Sequence, residues 1–230
     1  MEYLEFERIL SAKRMRRYKE AANGDTRKAM ALYRYNLRLS QEMFTIVSCF
    51  EVALRNAIDG LLVTTLGNDW LRDSVQDGGI FSNGRMNETR KIIEKAYNRL
   101  NRQGIFSHSK LIAEMEFGVW KYMYSSLQYR ATGQCLLRAF PNKPRSSAAI
   151  QYNNTYIFNE LDKVNSLRNR IAHHEPICFR LHASKIDTSY IVNEYQKIQT
   201  LFSWMGIDSR SMLYGLDHVQ SVCTKINALK

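Results

Sequence analysis

Asn165-Ser166-Leu167-Arg168-Asn169-Arg170-Ile171-Ala172-His173-His174-Glu175-Pro176 is the stretch from which the rest of this 230-residue chain can be read. Proline cannot continue a helix and drives the residue before it out of the α region, so a helix entering this stretch finishes near His174 and carries His173 in its last turn. Upstream, Ile157, Leu161, Val164 and Ile171 fall on one stripe of that helix, with Arg168 continuing it. Residues 150–174 thus read as an amphipathic helix with a polar end. Arg168 is a permanent cation whose planar fork suits phosphate, Asn169 both donates and accepts, and His173 exchanges protons near neutrality. Phosphodiester chemistry uses these residue types.

Their spacing is awkward for a single helix. A five-residue offset rotates His173 about 140° from Arg168, whereas Asn169 and His173, four apart, share a face. Arg168 joins them through its long reach, through a relaxed last turn, or from a second copy of the helix. On spacing alone, a solvated helix end with a favourable C-terminal cation accounts for the same residues.

Working outward, the other long segments also repeat at helical spacing. Residues 40–62 place Phe44, Val47, Leu54, Ile58, Leu61 and Leu62 on one stripe, with Glu51 and Arg55 inside it. A charge on a core-facing stripe is costly unless paired, and these two are spaced to pair with each other. Alternatively they reach the signature helix, with Glu51 orienting Arg168 and with Arg55 and Asn56 adding to an anion site. Residues 3–18 read as one helix ending in Lys13-Arg14-Met15-Arg16-Arg17. The turn Asn23-Gly24-Asp25 follows, and Asp25 caps a second helix through Met30, Tyr33 and Leu37. The basic cluster, with Arg14 and Arg17, is either an RNA-backbone contact or a solvated face.

Gly67-Asn68-Asp69, Asp77-Gly78-Gly79 and Asn83-Gly84 mark a long loop with a turn of helix at Trp70. Asn87 then caps a helix through Ile92, Ile93, Ala96 and Leu100 that stops near Gly104, its outer face bearing Arg90, Lys91, Lys95, Arg99 and Arg102. Residues 110–130 read as one further helix, whose Phe117-Gly118 step admits a close neighbour. The loop Pro141-Asn142-Lys143-Pro144-Arg145 precedes the signature helix, and its Arg145 faces phosphate or solvent. Two more helices follow Cys178, one through Ile191 to Met205 and one capped by Asp208 or Ser209 and running through Leu213 to Ile226. His108, His182 and His218 have no partners at chemical spacing.

With 3 prolines, 11 glycines and few alternating stretches, these segments make an all-α protein, a helical bundle formed by residues 1–230 as one domain. The net charge of +11 favours a polyanionic partner. Cys49, Cys135, Cys178 and Cys223 are far apart and lack metal or disulfide spacing, so they read as reduced core thiols. No apolar run approaches the ~20 residues of a membrane span, which together with the acidic N-terminus places the protein in the cytoplasm, away from membranes.

Arg168-Asn169-Arg170-Ile171-Ala172-His173 matches the R-x4-H signature of the HEPN superfamily of metal-independent ribonucleases, and the longer R-N-R-I-A-H-H-E-P resembles the Abi-like family of bacterial abortive-infection proteins within it. Phe50-Glu51-Val52-Ala53-Leu54-Arg55-Asn56-Ala57-Ile58, Phe117-Gly118-Val119-Trp120 and Ala139-Phe140-Pro141 fit the same pattern in order. The resemblance runs from about Arg38 to Arg180 and implies a HEPN-like core there, with additional N- and C-terminal helices. It further implies a metal-independent endoribonuclease of phage defence or stress response, without cofactor. His173 is then the general acid or base, Arg168 holds the scissile phosphate, and Asn169 orients the phosphate or imidazole. Read from the residues themselves, His174 and Glu175 support the turn rather than do chemistry, and Arg170, Arg145, Arg14 and Arg17 are the candidate RNA-binding cations. The implied partners are RNA, a second copy in a homodimer, and an antitoxin or phage-derived trigger. The same residues admit a second reading, a non-catalytic module that binds RNA or a protein. A metallohydrolase using His173, His174 and Glu175 is the third, although adjacent histidines diverge by about 100° on a helix.

Overall fold

In the computed structural model, which describes residues 1–82 and 84–230, the chain is all-α. Asn83, half of the Asn83-Gly84 turn signal, lies outside the described residues. Twelve α-helices occur among the described residues. They are α1 (Tyr3–Leu10), α2 (Ala12–Ala21), α3 (Thr26–Leu66), α4 (Trp70–Asp73), α5 (Asn87–Arg102), α6 (His108–Glu114), α7 (Phe117–Tyr122), α8 (Ser126–Ala131), α9 (Asn154–Ala172), α10 (Ser189–Trp204), α11 (Ser209–Met212) and α12 (Val219–Asn227). One isolated antiparallel bridge, Phe179 with Ile186, is the extent of β-pairing described. The chain divides into two compact units, one of Met1–Ser48, Ser166–Thr200 and Asp208–Lys230, the other of Cys49–Asn165 and Leu201–Ile207.

In the first unit, the helix expected over residues 3–18 is broken in two. Ser11 adopts φ 79°, and its hydroxyl accepts from the Arg14 N–H at 3.3 Å, capping α2. A small polar residue that can satisfy the backbone locally outcompetes continuation of the helix. Asp25 caps α3 as the sequence implies, its Oδ1 accepting from Lys28 N at 3.0 Å. Helix α3 then runs 41 residues without interruption, joining what periodicity separates at Ser40. Phe44, placed on the buried stripe by spacing, is 44% exposed. The core gathers Leu32, Leu39, Met43, Ile46, Leu167, Ile191, Ile198 and Val219, with Tyr18 stacked at an angle on Phe179 and edge-on to Tyr33. The last helix read from the sequence is two, α11 and α12. Asp208 caps α11 by accepting from Arg210 N and Ser211 N.

Glu42 is 4% exposed in this unit and is compensated by two partners. Arg38 Nη2 lies 2.8 Å away, and His218 approaches through both its backbone N–H at 3.2 Å and Nδ1 at 3.3 Å. A histidine without a sequence partner thus gains one 176 residues away.

In the second unit the helix expected over residues 110–130 is three short ones. Met115 and Glu116 turn extended before α7, and Ser125 does so before α8. Gly118 does not admit a close neighbour: a Cβ there would meet nothing within 4 Å. Gly79 is the crowded glycine, since its Cβ would sit 2.3 Å from the Asp73 carbonyl oxygen. Asn87 begins α5 rather than capping it. Phe50 packs against Phe117 and Phe202, with Trp70, Trp120, Tyr124 and Phe140 buried in the same unit. Asp59 Oδ1 accepts from Trp70 Nε1 at 2.7 Å and lies 2.8 Å from His108 Nε2, so His108 also has a partner that spacing did not reveal.

Candidate functional site

Helix α9 ends at Ala172 in a tight reversal. The His174 N–H donates to Ile171 O at 2.9 Å and the Glu175 N–H donates to Arg170 O at 2.9 Å, the paired bonds of a Schellman turn. His174 takes the left-handed position with φ 55°, where glycine is usual, and Pro176 prevents the helix from resuming. His173 is therefore the half-in residue of the helix end, its own N–H still bonded to Asn169 O at 2.9 Å. The sequence expectation of a finish near His174 holds to within two residues.

Buried Leu167 and Ile171 anchor the inner face of this last turn. Asn169 and His173 are exposed one turn apart on the outside, and the His173 imidazole has no hydrogen-bond partner among the described residues. Arg168 is half-buried, and its Nη1 approaches Asn169 Oδ1 at 3.5 Å, a weak contact that leaves the remaining guanidinium donors available. This one turn therefore offers a cation, a carboxamide and an imidazole to solvent. Such a set can bind an anion and move a proton.

Three cations expected to contact RNA are engaged elsewhere. Arg170 Nε donates to Glu175 Oε2 at 3.1 Å, its Nη2 donates to Pro176 O at 3.2 Å, and its guanidinium lies 5.0 Å from the Tyr190 ring centroid. Arg14 Nη1 donates to His174 O at 2.9 Å. Arg17 Nη2 donates to Ala183 O at 2.7 Å while its guanidinium lies 4.8 Å from the Phe179 ring centroid. A helix C-terminus and the chain leaving it expose carbonyls that need donors, and these arginines supply them. Arg14 and Arg17 of the basic cluster thus brace the segment after α9. His174 holds the left-handed position of the turn, and the Glu175 carboxylate accepts from Arg170.

The remaining candidates lie in the second unit. Glu51 and Arg55 are half-buried on α3, Asn56 is exposed, and Arg55 Nε is buried without a hydrogen-bond partner among the described residues. Arg145 is exposed in the loop before α9. The four cysteines are free, and burial pushes the Cys178 thiol up to about 12.

One site-building residue escaped the sequence reading. Asn36, 3% exposed in the N-terminal third of α3, accepts from Ile177 N at 2.9 Å and Cys178 N at 3.2 Å through one oxygen. Its signal was a polar residue among buried apolar neighbours on α3. Together, Asn36, Arg14 and Arg170 tie down residues 174–178 from three directions.

A family model described as Abi-like protein matches residues 3–178. The chain belongs to the Abi-like family. The match takes in the whole of α1 and α2 and so begins earlier than the resemblance read from about Arg38. It ends at Cys178, just after the Schellman turn and the first residues that Asn36 holds. No curated protein and no solved structure matches this Abi-like chain. No helix among the described residues is long and apolar enough to cross a membrane.

Proposed function

We propose that this Abi-like protein is a metal-independent endoribonuclease of the abortive-infection type, with Arg168, Asn169 and His173 as its working groups. The single observation that supports the reading is the outward display of Asn169 and His173 on one turn, with the Arg168 guanidinium drawn against the Asn169 carboxamide. RNA carries its own nucleophile, the 2′-hydroxyl. Its oxygen attacks the adjacent phosphorus as the 2′-proton leaves to a base. The bond from phosphorus to the 5′-oxygen breaks, and that oxygen takes up a proton. The products are a 2′,3′-cyclic phosphate and a 5′-hydroxyl end.

His173 is exposed and unencumbered for one of these proton transfers, a role typically worth roughly 10²–10⁴-fold. Arg168 meets the phosphate and the charge that builds on it, where a planar fork outperforms a lysine. Asn169, between the two, orients either partner. Because Arg168 and His173 are five residues apart, a second copy of α9 supplies the complementary half of the site, which makes the working form a homodimer. A growth-inhibiting nuclease is held in check until needed, by an antitoxin or by the absence of a phage-derived trigger.

The test is cleavage of end-labelled RNA by wild type and His173→Ala, with and without EDTA. EDTA-resistant cleavage that yields cyclic-phosphate ends and is lost in the variant supports the proposal. No His173-dependent cleavage by the wild-type protein, either alone or with lysate of phage-infected cells added, sinks it in favour of a binding module, and EDTA-sensitive cleavage sinks its metal independence.

A further inference from the structure

A cavity of about 940 Å³ lies wholly within the second unit, walled by α5 on one side and by residues 114–122 on the other. That volume falls in the range of small-molecule and cofactor sites. Its buried lining is largely apolar, with Met86, Met115 and Val119, and the buried polar pair beside them, Gln128 and Thr89, is satisfied by its own hydrogen bond. Tyr122 and Ile92 also line it and are 48% and 49% exposed; the buried Lys121 places its Nζ 4.6 Å from the Tyr122 ring centroid and Phe158 meets the ring edge-on, so the exposed part of the ring is what remains for a ligand. Along the α5 wall, Lys95, Arg99 and Arg102 recur at four- and three-residue spacing, which places three cations in a row about 10 Å long.

The charges are not equally free. Arg99 is paired with Glu114, and Glu88 with Lys91. Lys95 has no partner among the described residues, and Arg102 spends only its Nε, on the Asn98 carbonyl. Glu116, at the opposite wall, has an exposed carboxylate with no partner among the described residues. The available groups are thus a half-exposed aromatic ring beside a largely apolar lining, the Lys95 ammonium and the remaining donors of Arg102 on one side, and the Glu116 carboxylate on the other. A ligand complementary to all of them has a flat heteroaromatic body carrying N–H donors and a multiply anionic tail.

We infer that this cavity binds a nucleotide, its base stacked on Tyr122 with N–H groups toward Glu116 and its phosphates along Lys95 and Arg102. Stacking on an aromatic side chain and phosphate neutralisation by a basic row are the two terms that hold unpaired nucleotides on proteins. The chemistry is common to a free nucleoside triphosphate and to a nucleotide within a single RNA strand. None of Arg168, Asn169 and His173 lines the cavity, so it stands or falls apart from the cleavage proposal.

The experiment titrates the full-length protein with two probes, a fluorescent ATP analogue and a labelled six-nucleotide oligoadenylate RNA. Both are tested against wild type, Tyr122→Ala, the charge reversal Lys95→Glu/Arg102→Glu, and His173→Ala. The altered cavity side chains are solvent-exposed, and circular dichroism checks that each variant keeps its helices. Binding of either probe that weakens at least about fivefold in both cavity variants, and not in His173→Ala, supports the assignment. ATP binding identifies a free-nucleotide site, and oligonucleotide binding alone identifies a strand contact. Failure of both probes to bind wild type, or equal affinity in the cavity variants, overturns the inference even if RNA cleavage is observed.

Discussion

Arg168 Nη1 stands 3.5 Å from Asn169 Oδ1, so the guanidinium leans toward the helix face that also carries His173. A regular helix sets Arg168 and His173 about 140° apart, and side-chain reach recovers part of that separation. The contact is too long to lock Arg168 in place. A phosphate arriving between the two side chains would offer Arg168 better acceptors than one amide oxygen.

If that lean serves catalysis, charge alone will not replace it. Arg168→Lys keeps the cation but loses the planar fork, and the expected loss is at least about tenfold in kcat/KM for RNA. Asn169→Ala and His173→Ala are expected to lower it further, by about 100-fold or more for the histidine, with thermal midpoints unchanged because both positions are exposed. Steady-state cleavage assays paired with calorimetry separate the two effects. A His173→Ala enzyme as active as wild type would end the proposed mechanism.

Arg170 should behave in the opposite way. Its bonds to Glu175 and Pro176 make it part of the turn, so Arg170→Ala is expected to lower stability by about 1 kcal/mol. Urea unfolding measures this, and a stability equal to wild type would show that the bonds contribute nothing in solution.

Asn36 carries a larger share. Its replacement by alanine leaves the buried amides of Ile177 and Cys178 without an acceptor, at a cost of about 1–3 kcal/mol. Amide hydrogen exchange should quicken at Ile177 and Cys178 in particular. Uniform acceleration across the chain would mean global destabilisation instead.

His174 occupies the left-handed position of the Schellman turn. Glycine there avoids the Cβ strain, so His174→Gly is expected to stabilise the protein by up to about 1 kcal/mol. The backbone carbonyl that accepts from Arg14 is retained, and RNA cleavage should be unaffected. A thermal midpoint below wild type would contradict the assignment of the turn.

Cys178 ties stability to alkaline pH. Burial raises its thiol from 9.0 to about 12, so the folded state holds the proton more tightly than the unfolded chain does. The stability this contributes is fully present below pH 9 and is lost as pH rises toward 12. Cys178→Ala should therefore flatten the alkaline limb of a pH–stability curve. In the native protein at pH 8, the buried Cys178 should react with a thiol reagent far more slowly than half-buried Cys49.

Helix content, the end of α9 shortly before Pro176 and the stripe of Ile157, Leu161, Val164 and Ile171 are legible because they depend on neighbours within a turn or two. The Asp25 cap is legible for the same reason. The breaks at Ser11, Met115 and Ser125 are not, since single-residue dihedrals decide them while the apolar pattern runs straight through.

The amino-acid order by itself determined an all-α chain with an arginine, a carboxamide and an imidazole at one helix end, because local sterics and helical period require nothing distant. Only the tertiary structure decided which charges remain for a ligand. Arg14 and Arg17 are drawn onto carbonyls more than 150 residues away, His218 onto Glu42, and Asn36 onto two distant amides. The physical reason is that buried or chain-end polar groups must be satisfied wherever the fold brings a partner, and sequence separation sets no limit on that.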